Sequence, residues 1–283
     1  MLTDFIPFAL NAMTLISILL IVSMGMAIIF GLMNVINLAH GEFITIGAFV
    51  FVLVQSFGGN FWIALVVAPF VGYVFGLCLE KALISRVYSN PLHAILVTWG
   101  LSLILQQLIL LTFGAAPQSV RSPFEGSIEI AGATYPIYRI FLICFALAIF
   151  AITAVIFKKS RFGLELRASI QSPEMTSVMG VDPDKINARA FASGAALAAL
   201  AGVLLAPLTA VTAFMGINYL ARSFFVVLVG GAGSISGVAA GSGLIGTLET
   251  ALTYQIPNTV AQALVLILAI VMLRFRPKGL VPA

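Results

Sequence analysis

Apolar runs recur along the whole chain, most of them about twenty residues long, with short polar stretches between them. The runs cover residues 8–30, 43–55, 63–83, 92–113, 138–157, 190–210, 238–254 and 259–273. Since about 20 apolar residues are enough for a helix to cross a bilayer, the pattern predicts an all-α polytopic membrane protein with about eight transmembrane helices. We expect residues 1–283 to form a single transmembrane domain.

Composition agrees with a membrane protein and argues against several other classes. Hydrophobic residues make up 61% of the chain and charged residues only 8%, whereas soluble domains carry about 25% charged residues. Cys78 and Cys144 both lie inside apolar runs, which predicts inert thiols rather than a disulfide or a metal site. The first apolar run is too long for the core of a cleavable signal peptide and follows no basic stretch.

The basic residues predict how the chain is threaded through the membrane. Eleven of the 14 lysines and arginines fall near Lys81 and Arg86, in the polar segment 158–189, or in the tail after residue 273. Basic residues are enriched in cytoplasmic loops, so these three regions are expected inside, with the N-terminus outside and the C-terminus inside. Their excess at span ends explains the net charge of +4 without any nucleic-acid partner. Arg222 is expected in a loop on the outer side.

A glycine-rich interruption follows Arg222. Residues 223–229 are too short to cross alone, and Gly230, Gly231, Gly233, Ser234 and Gly237 come before the next apolar run. The predicted threading requires this part of the chain to enter and return. We therefore expect a re-entrant half-helix, a glycine turn and an outgoing helix, and broken helices of this kind build substrate sites in transporters.

The polar segment 158–189 contains a short helix with clear ends. Ser172 is a good N-cap, Pro173 suits the first helical position, Glu174 complements the positive helix start, and Gly180 supplies a stop. Within it, three apolar residues have the spacing of one helix face: Met175, Val178 and Met179. Such a face suits either lipid headgroups or the groove of a soluble partner, and the residues alone leave both open.

Polar groups separate the first two apolar runs. They include Asn34, Asn37, His40 and Glu42, with Gly41 between the last two. One interpretation is a loop at headgroup level, in which Glu42 is solvated and His40 caps a helix. The other is a break in the translocation path, because ionisable residues within a membrane normally face a bundle interior or water.

Other polar residues inside apolar runs allow simpler interpretations. Glu249 is a candidate buried acid, although it could pair locally with Thr250 or Thr253. Gln106 and Gln107 are expected to hydrogen-bond between helices.

Enzymatic chemistry is not expected. Ser236 among glycines superficially suggests a serine nucleophile, which would need a histidine base within hydrogen-bond reach. Only His40 and His93 exist, and neither belongs to a second catalytic-looking motif. A Lys-Ser or Lys-Thr pair, which would mark a phosphate-binding loop, does not follow Gly237. We predict no catalytic residue and no metal ligand, and if transport uses ATP, another polypeptide binds it.

Four motifs, in order, resemble the permeases of the branched-chain (hydrophobic) amino acid ABC importer family. They are residues 34–48, residues 163–181, the glycine turn from Gly230, and the terminal residues 276–280. The resemblance implies a second homologous permease subunit, two cytoplasmic ATPase subunits that bind ATP and Mg²⁺, an extracytoplasmic solute-binding protein, and a bacterial cytoplasmic (inner) membrane location. It implies no cofactor in this chain.

The predicted functional residues form two groups. The expected substrate path consists of Asn34, Asn37, His40, Gly41, Glu42, Gly230, Gly231, Gly233, Ser234, Gly237 and Glu249. ATPase coupling is expected from Glu165, Arg167, Pro173, Glu174, Met175, Val178, Met179 and Gly180. Residues 169–177 depart from the acidic and alanine-rich run that the family often carries. Ser172, Pro173 and Gly180 nevertheless still mark the start and the end of a helix.

The solute remains open at this point. The same family includes importers of urea, short amides and other small organic solutes, and the pore motifs do not separate them. An ATP-independent channel or secondary transporter is the more distant alternative.

Overall fold

A computed structural model of the chain describes residues 2–33, 37–88, 90–130, 133–277 and 279–281. Eleven α-helices occur in these ranges: α1 (Leu2–Met33), α2 (His40–Ser56), α3 (Phe61–Ala82), α4 (Pro91–Phe113), α5 (Ile137–Lys159), α6 (Arg161–Gln171), α7 (Pro173–Val178), α8 (Pro183–Leu205), α9 (Met215–Gly230), α10 (Ile235–Thr253) and α11 (Asn258–Phe275). A 3₁₀ turn, Ile84–Arg86, follows α3. Two strands, β1 (Ser127–Ile130) and β2 (Ala133–Pro136), form the hairpin before α5.

The predicted class, an all-α polytopic membrane protein, is confirmed. Within the described ranges, seven helices are long and apolar enough to cross a membrane: α1, α3, α4, α5, α8, α10 and α11. The predicted count of about eight is not confirmed. The apolar run 43–55 belongs to α2, which has 17 residues, and α9 has 16.

Helices α1 and α8 form the centre of the bundle and are its most deeply buried spans. They run antiparallel, because Ile18 lies with Leu204 at one level and Ile28 lies with Ala190 at another. Between these levels the two backbones meet at Gly25 and Gly194, where neither position has room for a side chain. Small residues at such crossings allow the close helix approach on which membrane packing depends.

The other helices surround this centre in a reciprocal order. Helices α2 and α3 pack on α8, while α9 and α10 pack on α1. The succession of a central helix, a short helix and two long helices thus occurs twice, as α1–α4 and as α8–α11. With α1 and α8 antiparallel, this is the arrangement of an inverted repeat, a plan that places transporter sites at the repeat interface. The sequence analysis did not predict this repeat.

A two-stranded hairpin lies between α4 and α5. Strand β1 pairs antiparallel with β2, with Ile128 opposite Tyr135; its turn, residues 131–132, lies outside the described residues. Tyr135 donates a hydrogen bond to the Leu10 carbonyl of α1, and Gln55 at the end of α2 accepts one from the backbone N–H of Arg121. The loop 114–136 therefore covers one end of the bundle.

Helices α6 and α7 lie at the other end, where the predicted loop bounds need correction. Lys185 and Arg189 were expected in the polar segment 158–189, but both lie in the first turns of α8. The Asp182 carboxylate caps α8 by accepting the N–H groups of Asp184 and Lys185. The Lys185 ammonium lies 3.0 Å from Asp182, and this interaction holds the pKa of the Asp182 carboxyl below its usual value.

Candidate functional site

Helix α2 begins inside the bundle rather than at its end. The Nε2 atom of His40 lies 3.4 Å from the Val22 carbonyl oxygen, and the ring packs against Gly25. Helix α1 continues for another eleven residues, roughly 16 Å at 1.5 Å per residue, before it ends at Met33. His40 and Glu42 are both fully buried. The interpretation that put Glu42 in solvent at headgroup level is therefore wrong.

The start of α9 meets the start of α2 at this level. Gly41 and Gly216 lie against each other, and a Cβ added to Gly41 would stand 2.7 Å from the Gly216 carbonyl oxygen. The Gly216 N–H donates a hydrogen bond of 3.1 Å to Thr45 Oγ1. Ala39 and Phe214 occupy the two N-cap positions, and neither side chain carries an acceptor. Two helix starts, each with partial positive charge, therefore meet inside the bundle.

Glu42 connects this junction, formed by the starts of α2 and α9, to α4. Its Oε1 accepts hydrogen bonds from Ser102 Oγ at 2.9 Å and Gln106 Nε2 at 2.7 Å. The interhelical role predicted for Gln106 is thus confirmed. Ser102 was not predicted, although its spacing of four residues from Gln106 puts both on one face of a helix.

Several buried polar atoms around the junction have no hydrogen-bond partner among the described residues. They are Ser23 Oγ, Asn37 Nδ2, His40 Nδ1 and Glu42 Oε2. Asn37 Oδ1 does accept the Ala39 N–H, at 3.0 Å, which satisfies part of the backbone freed by the break. Asn34 lies outside the described residues. Buried polar atoms are normally paired, so this cluster is suited to bind water or a polar solute group.

Of the predicted half-helix, glycine turn and outgoing helix, the structure has the turn, between α9 and α10; the re-entrant course through the membrane stays a prediction. Gly231 and Gly233 have φ angles of +121° and +76°, values that favour glycine. Ser234 Oγ accepts the Gly237 N–H and caps α10. Helix α9 starts at Met215 rather than at 223.

The turn lies at the level of Gly31, near the end of α1, because Gly31 and Gly233 are in contact. The C-terminal segment secures it, since Leu280 and Val281 donate their N–H groups to the carbonyls of Val229 and Gly230. Gly230 and Gly237 pack against each other there. Gly41 packs against Gly216 rather than against a glycine of this turn. Gly216 was not among the predicted site residues.

Arg222 was expected in an outer loop, but it lies within α9 and faces α10. Its Nη2 atom is 3.5 Å from Glu249 Oε1, with the two side chains 18% and 4% exposed. Glu249 does not pair with its neighbouring threonines, because the hydroxyls of Thr250 and Thr253 donate to backbone carbonyls. A cavity of about 230 Å³ adjoins this ion pair, between α9, α10 and α11.

The predicted short helix in the polar segment is confirmed as α7. Ser172 Oγ accepts the Met175 N–H, and Gly180 follows with a φ of +81°. Three apolar side chains are largely exposed: Met175 at 64%, Val178 at 81% and Met179 at 79%. Helix α7 therefore presents an uncovered apolar face within the described part of the chain.

Helix α6 connects α7 to the bundle. Leu166 is buried with Ile28 of α1 and Ile186 of α8. Glu165 pairs with Arg161 at 2.9 Å, and Arg167 donates a hydrogen bond to the Phe157 carbonyl. Helix α6 thus joins α7 to both central helices.

Comparisons with known proteins agree with this architecture. The sequence model of a family described as "Branched-chain amino acid transport system / permease component" matches residues 8–274. The high-affinity branched-chain amino acid transport system permease protein LivH of Escherichia coli strain K12 is 30% identical, over 93% of this chain and 92% of LivH. The corresponding protein BraD of Pseudomonas aeruginosa is 28% identical, over 95% and 93%.

A more distant relative and one solved structure extend the comparison. A probable branched-chain amino acid transport permease of Methanocaldococcus jannaschii is 28% identical, over 86% of this chain and 79% of its own. The solved structure of PsaBC from Streptococcus pneumoniae in complex with Fab superposes with a TM-score of 0.50 and 15% identity, covering 97% of this chain and 95% of that one. That likeness concerns the fold alone. Because the family model matches nearly the whole chain, the chain belongs to the permease components of the branched-chain amino acid transport systems.

Proposed function

We propose that the chain is the membrane-spanning subunit of an ATP-driven importer for branched-chain or other hydrophobic amino acids. Partner subunits on the cytoplasmic side bind ATP and Mg²⁺ and hydrolyse ATP. A second homologous permease completes the pore, and an extracytoplasmic binding protein delivers the solute. Family membership and the names of the relatives support the cargo. The observation that carries the coupling role is the exposed apolar face of α7.

Coupling would proceed through two connected steps. The face formed by Met175, Val178 and Met179 docks into a groove of an ATPase subunit, as amphipathic helices do in other complexes. Movement of that subunit then shifts α6, whose Leu166 is held by α1 and α8. Since α2 and α9 pack on these central helices, the shift changes access at the junction of Gly41 and Gly216.

The double variant Met175→Asp/Val178→Asp tests this docking in the assembled transporter. Two carboxylates on the apolar face should prevent its burial, so that leucine-stimulated ATP hydrolysis falls at least tenfold while the chain still inserts. Ser177→Asp is the matched control, because Ser177 is exposed on the opposite side of the same helix. Unchanged hydrolysis in the double variant would refute the docking role. Loss of lipid association without any loss of ATP hydrolysis would favour the interpretation that α7 lies on lipid headgroups.

The proposed orientation places α7 and the C-terminus in the cytoplasm and the β1–β2 hairpin outside. We expect a membrane-impermeant maleimide to label Ser127→Cys in intact cells and Ser177→Cys only after permeabilisation. Both serines are exposed, and the background carries Cys78→Ala and Cys144→Ala because both native thiols are exposed. Labelling of both sites in intact cells would contradict the threading.

The substrate path is proposed to include the junction residues Asn37, His40, Gly41 and Glu42, with Asn34 preceding them. Its cytoplasmic end would lie at the glycine turn, formed by Gly230, Gly231, Gly233, Ser234 and Gly237, and Glu249 would line it further along α10. Purified chain alone in liposomes is expected to take up no leucine, since the movement requires the ATPase. Uptake without partners would instead indicate a self-sufficient transporter.

A further inference from the structure

We propose that Arg222 and Glu249 form a recognition site for the zwitterionic backbone of an amino acid whose side chain is apolar. This inference deepens the proposed import function and rests on it. The site is the cavity of about 230 Å³ between α9, α10 and α11. Four polar residues line it: Asn218 and Arg222 from α9, Glu249 from α10 and Gln262 from α11.

The two charges satisfy each other poorly. They are 3.5 Å apart, longer than the 2.7–2.9 Å typical of charge-assisted hydrogen bonds. Neither side chain forms a hydrogen bond with any other described residue. A charge within a membrane is costly and is retained where it serves a function. A loosely engaged pair beside a cavity therefore leaves hydrogen-bonding capacity for a ligand.

A zwitterion matches this capacity. The planar guanidinium of Arg222 suits a carboxylate, which it can bind through two parallel hydrogen bonds. Glu249, as an acceptor, suits an ammonium group. In an α-amino acid both groups are carried on one carbon, so its opposite charges lie as close together as those of the pair. An amide or a fatty acid offers only one of the two matches.

The remaining walls of the cavity fit an apolar side chain. Ile217, Ile245, Val265 and Leu266 contribute hydrocarbon surface, and removal of apolar surface from water favours binding. The cavity is therefore divided between a charged part for the backbone of the ligand and an apolar part for its side chain. A small polar solute such as urea would leave the apolar part unfilled.

The cavity also lies close to the helix junction. Ile217, Asn218 and Ala221 are exposed and share one face of α9, and Ile217 directly follows Gly216 of the helix junction. Polar and ionisable residues within membrane spans face bundle interiors or water rather than lipid. The exposed Asn218 on this face and the ion pair thus both lie within one to two turns of the junction.

Equilibrium binding of radiolabelled L-leucine to the full chain in nanodiscs tests the proposal. The competitors are unlabelled leucine, leucinamide, which lacks the carboxylate, and 4-methylpentanoate, which lacks the ammonium group. We expect each single-charge analogue to compete at least tenfold more weakly than leucine, because each loses one charge-assisted hydrogen-bonded contact. Failure of leucine to bind, or equal competition by the analogues, would overturn the assignment.

Two variants add a change of preference that a purely structural ion pair would not produce. Glu249→Gln should weaken leucine binding at least tenfold and shift preference towards 4-methylpentanoate, since Arg222 is left unpaired. Arg222→Gln should shift preference towards leucinamide. Arg139→Gln is the control, because Arg139 contacts Asn11 and neither residue lines the cavity, so the preference should stay unchanged. Equal loss of all three ligands in correctly folded variants would contradict the site.

The outcome is separable from the coupling role of α7. The Met175→Asp/Val178→Asp variant should bind leucine as the unaltered chain does, because no residue of α7 lines the cavity. If a single variant fails to fold, the exchange Arg222→Glu/Glu249→Arg is measured instead, because it keeps one charge of each sign. If the exchanged protein binds leucine with unchanged affinity and selectivity, the proposal is overturned.

Discussion

Gly216→Ala is expected to reduce leucine uptake by the assembled transporter at least tenfold and to lower the free energy of unfolding by about 1–3 kcal/mol. The added Cβ would overlap the Gly41 carbonyl group, and its other nearest neighbours include Thr45 Oγ1. Backbone atoms cannot turn aside as a side chain can, so the starts of α2 and α9 must separate. Unfolding in detergent and uptake in proteoliposomes measure the two effects.

Gly243→Ala supplies the matched control. Gly243 also lies within a helix, α10, but a Cβ there meets no described atom within 4 Å. Alanine favours a helix over glycine by up to about 1 kcal/mol, so this variant should be as stable as the unaltered chain or more stable. If Gly216→Ala behaves like Gly243→Ala, the close approach of the two helix starts has no functional weight.

Local features of the chain were predictable where local interactions determine them. The bounds of α7 follow from Ser172 and Gly180, because a side-chain cap and a left-handed glycine act within a few residues. Most spans follow from periodicity and length for the same reason.

The start of α9 was not predictable from hydropathy. Asn218 and Arg222 interrupt the apolar run, and residues 215–222 therefore resembled a loop. Their helix is stabilised by tertiary contacts, with Arg222 facing Glu249 and Gly216 facing Gly41. A usable signal existed in the spacing of Ile217, Leu220 and Phe224, which repeats at helical intervals.

The depth of α2 was hidden for a related reason. The sequence shows that His40 and Glu42 interrupt an apolar stretch, but their level in the bundle depends on where α1 ends and on how the chain returns. Only the packing against Val22 and Gly25 places them inside. The motif resemblance identified the family because four motifs occur along the chain in the order that the family has them. It contained no information on which of these residues are in contact.

The hydrogen bonds of Glu42 provide the second large effect. Glu42→Leu should lower the free energy of unfolding by about 2–3 kcal/mol, because the donors of Ser102 and Gln106 lose a buried acceptor. Glu42→Gln retains one acceptor oxygen and should cost about 1 kcal/mol or less. We expect uptake to fall at least tenfold in the leucine variant, as measured in proteoliposomes beside unfolding in detergent.

A triple variant separates the structural from the transport role of this carboxylate. Glu42→Leu/Ser102→Ala/Gln106→Leu removes the donors together with their acceptor, and replacement of all partners by apolar groups can be nearly neutral for stability. We expect its free energy of unfolding to return to within about 1 kcal/mol of the unaltered chain, while uptake stays at a tenth or less because the polar junction is gone. Recovery of uptake together with stability would show that Glu42 only joins α2 to α4 and takes no part in the path.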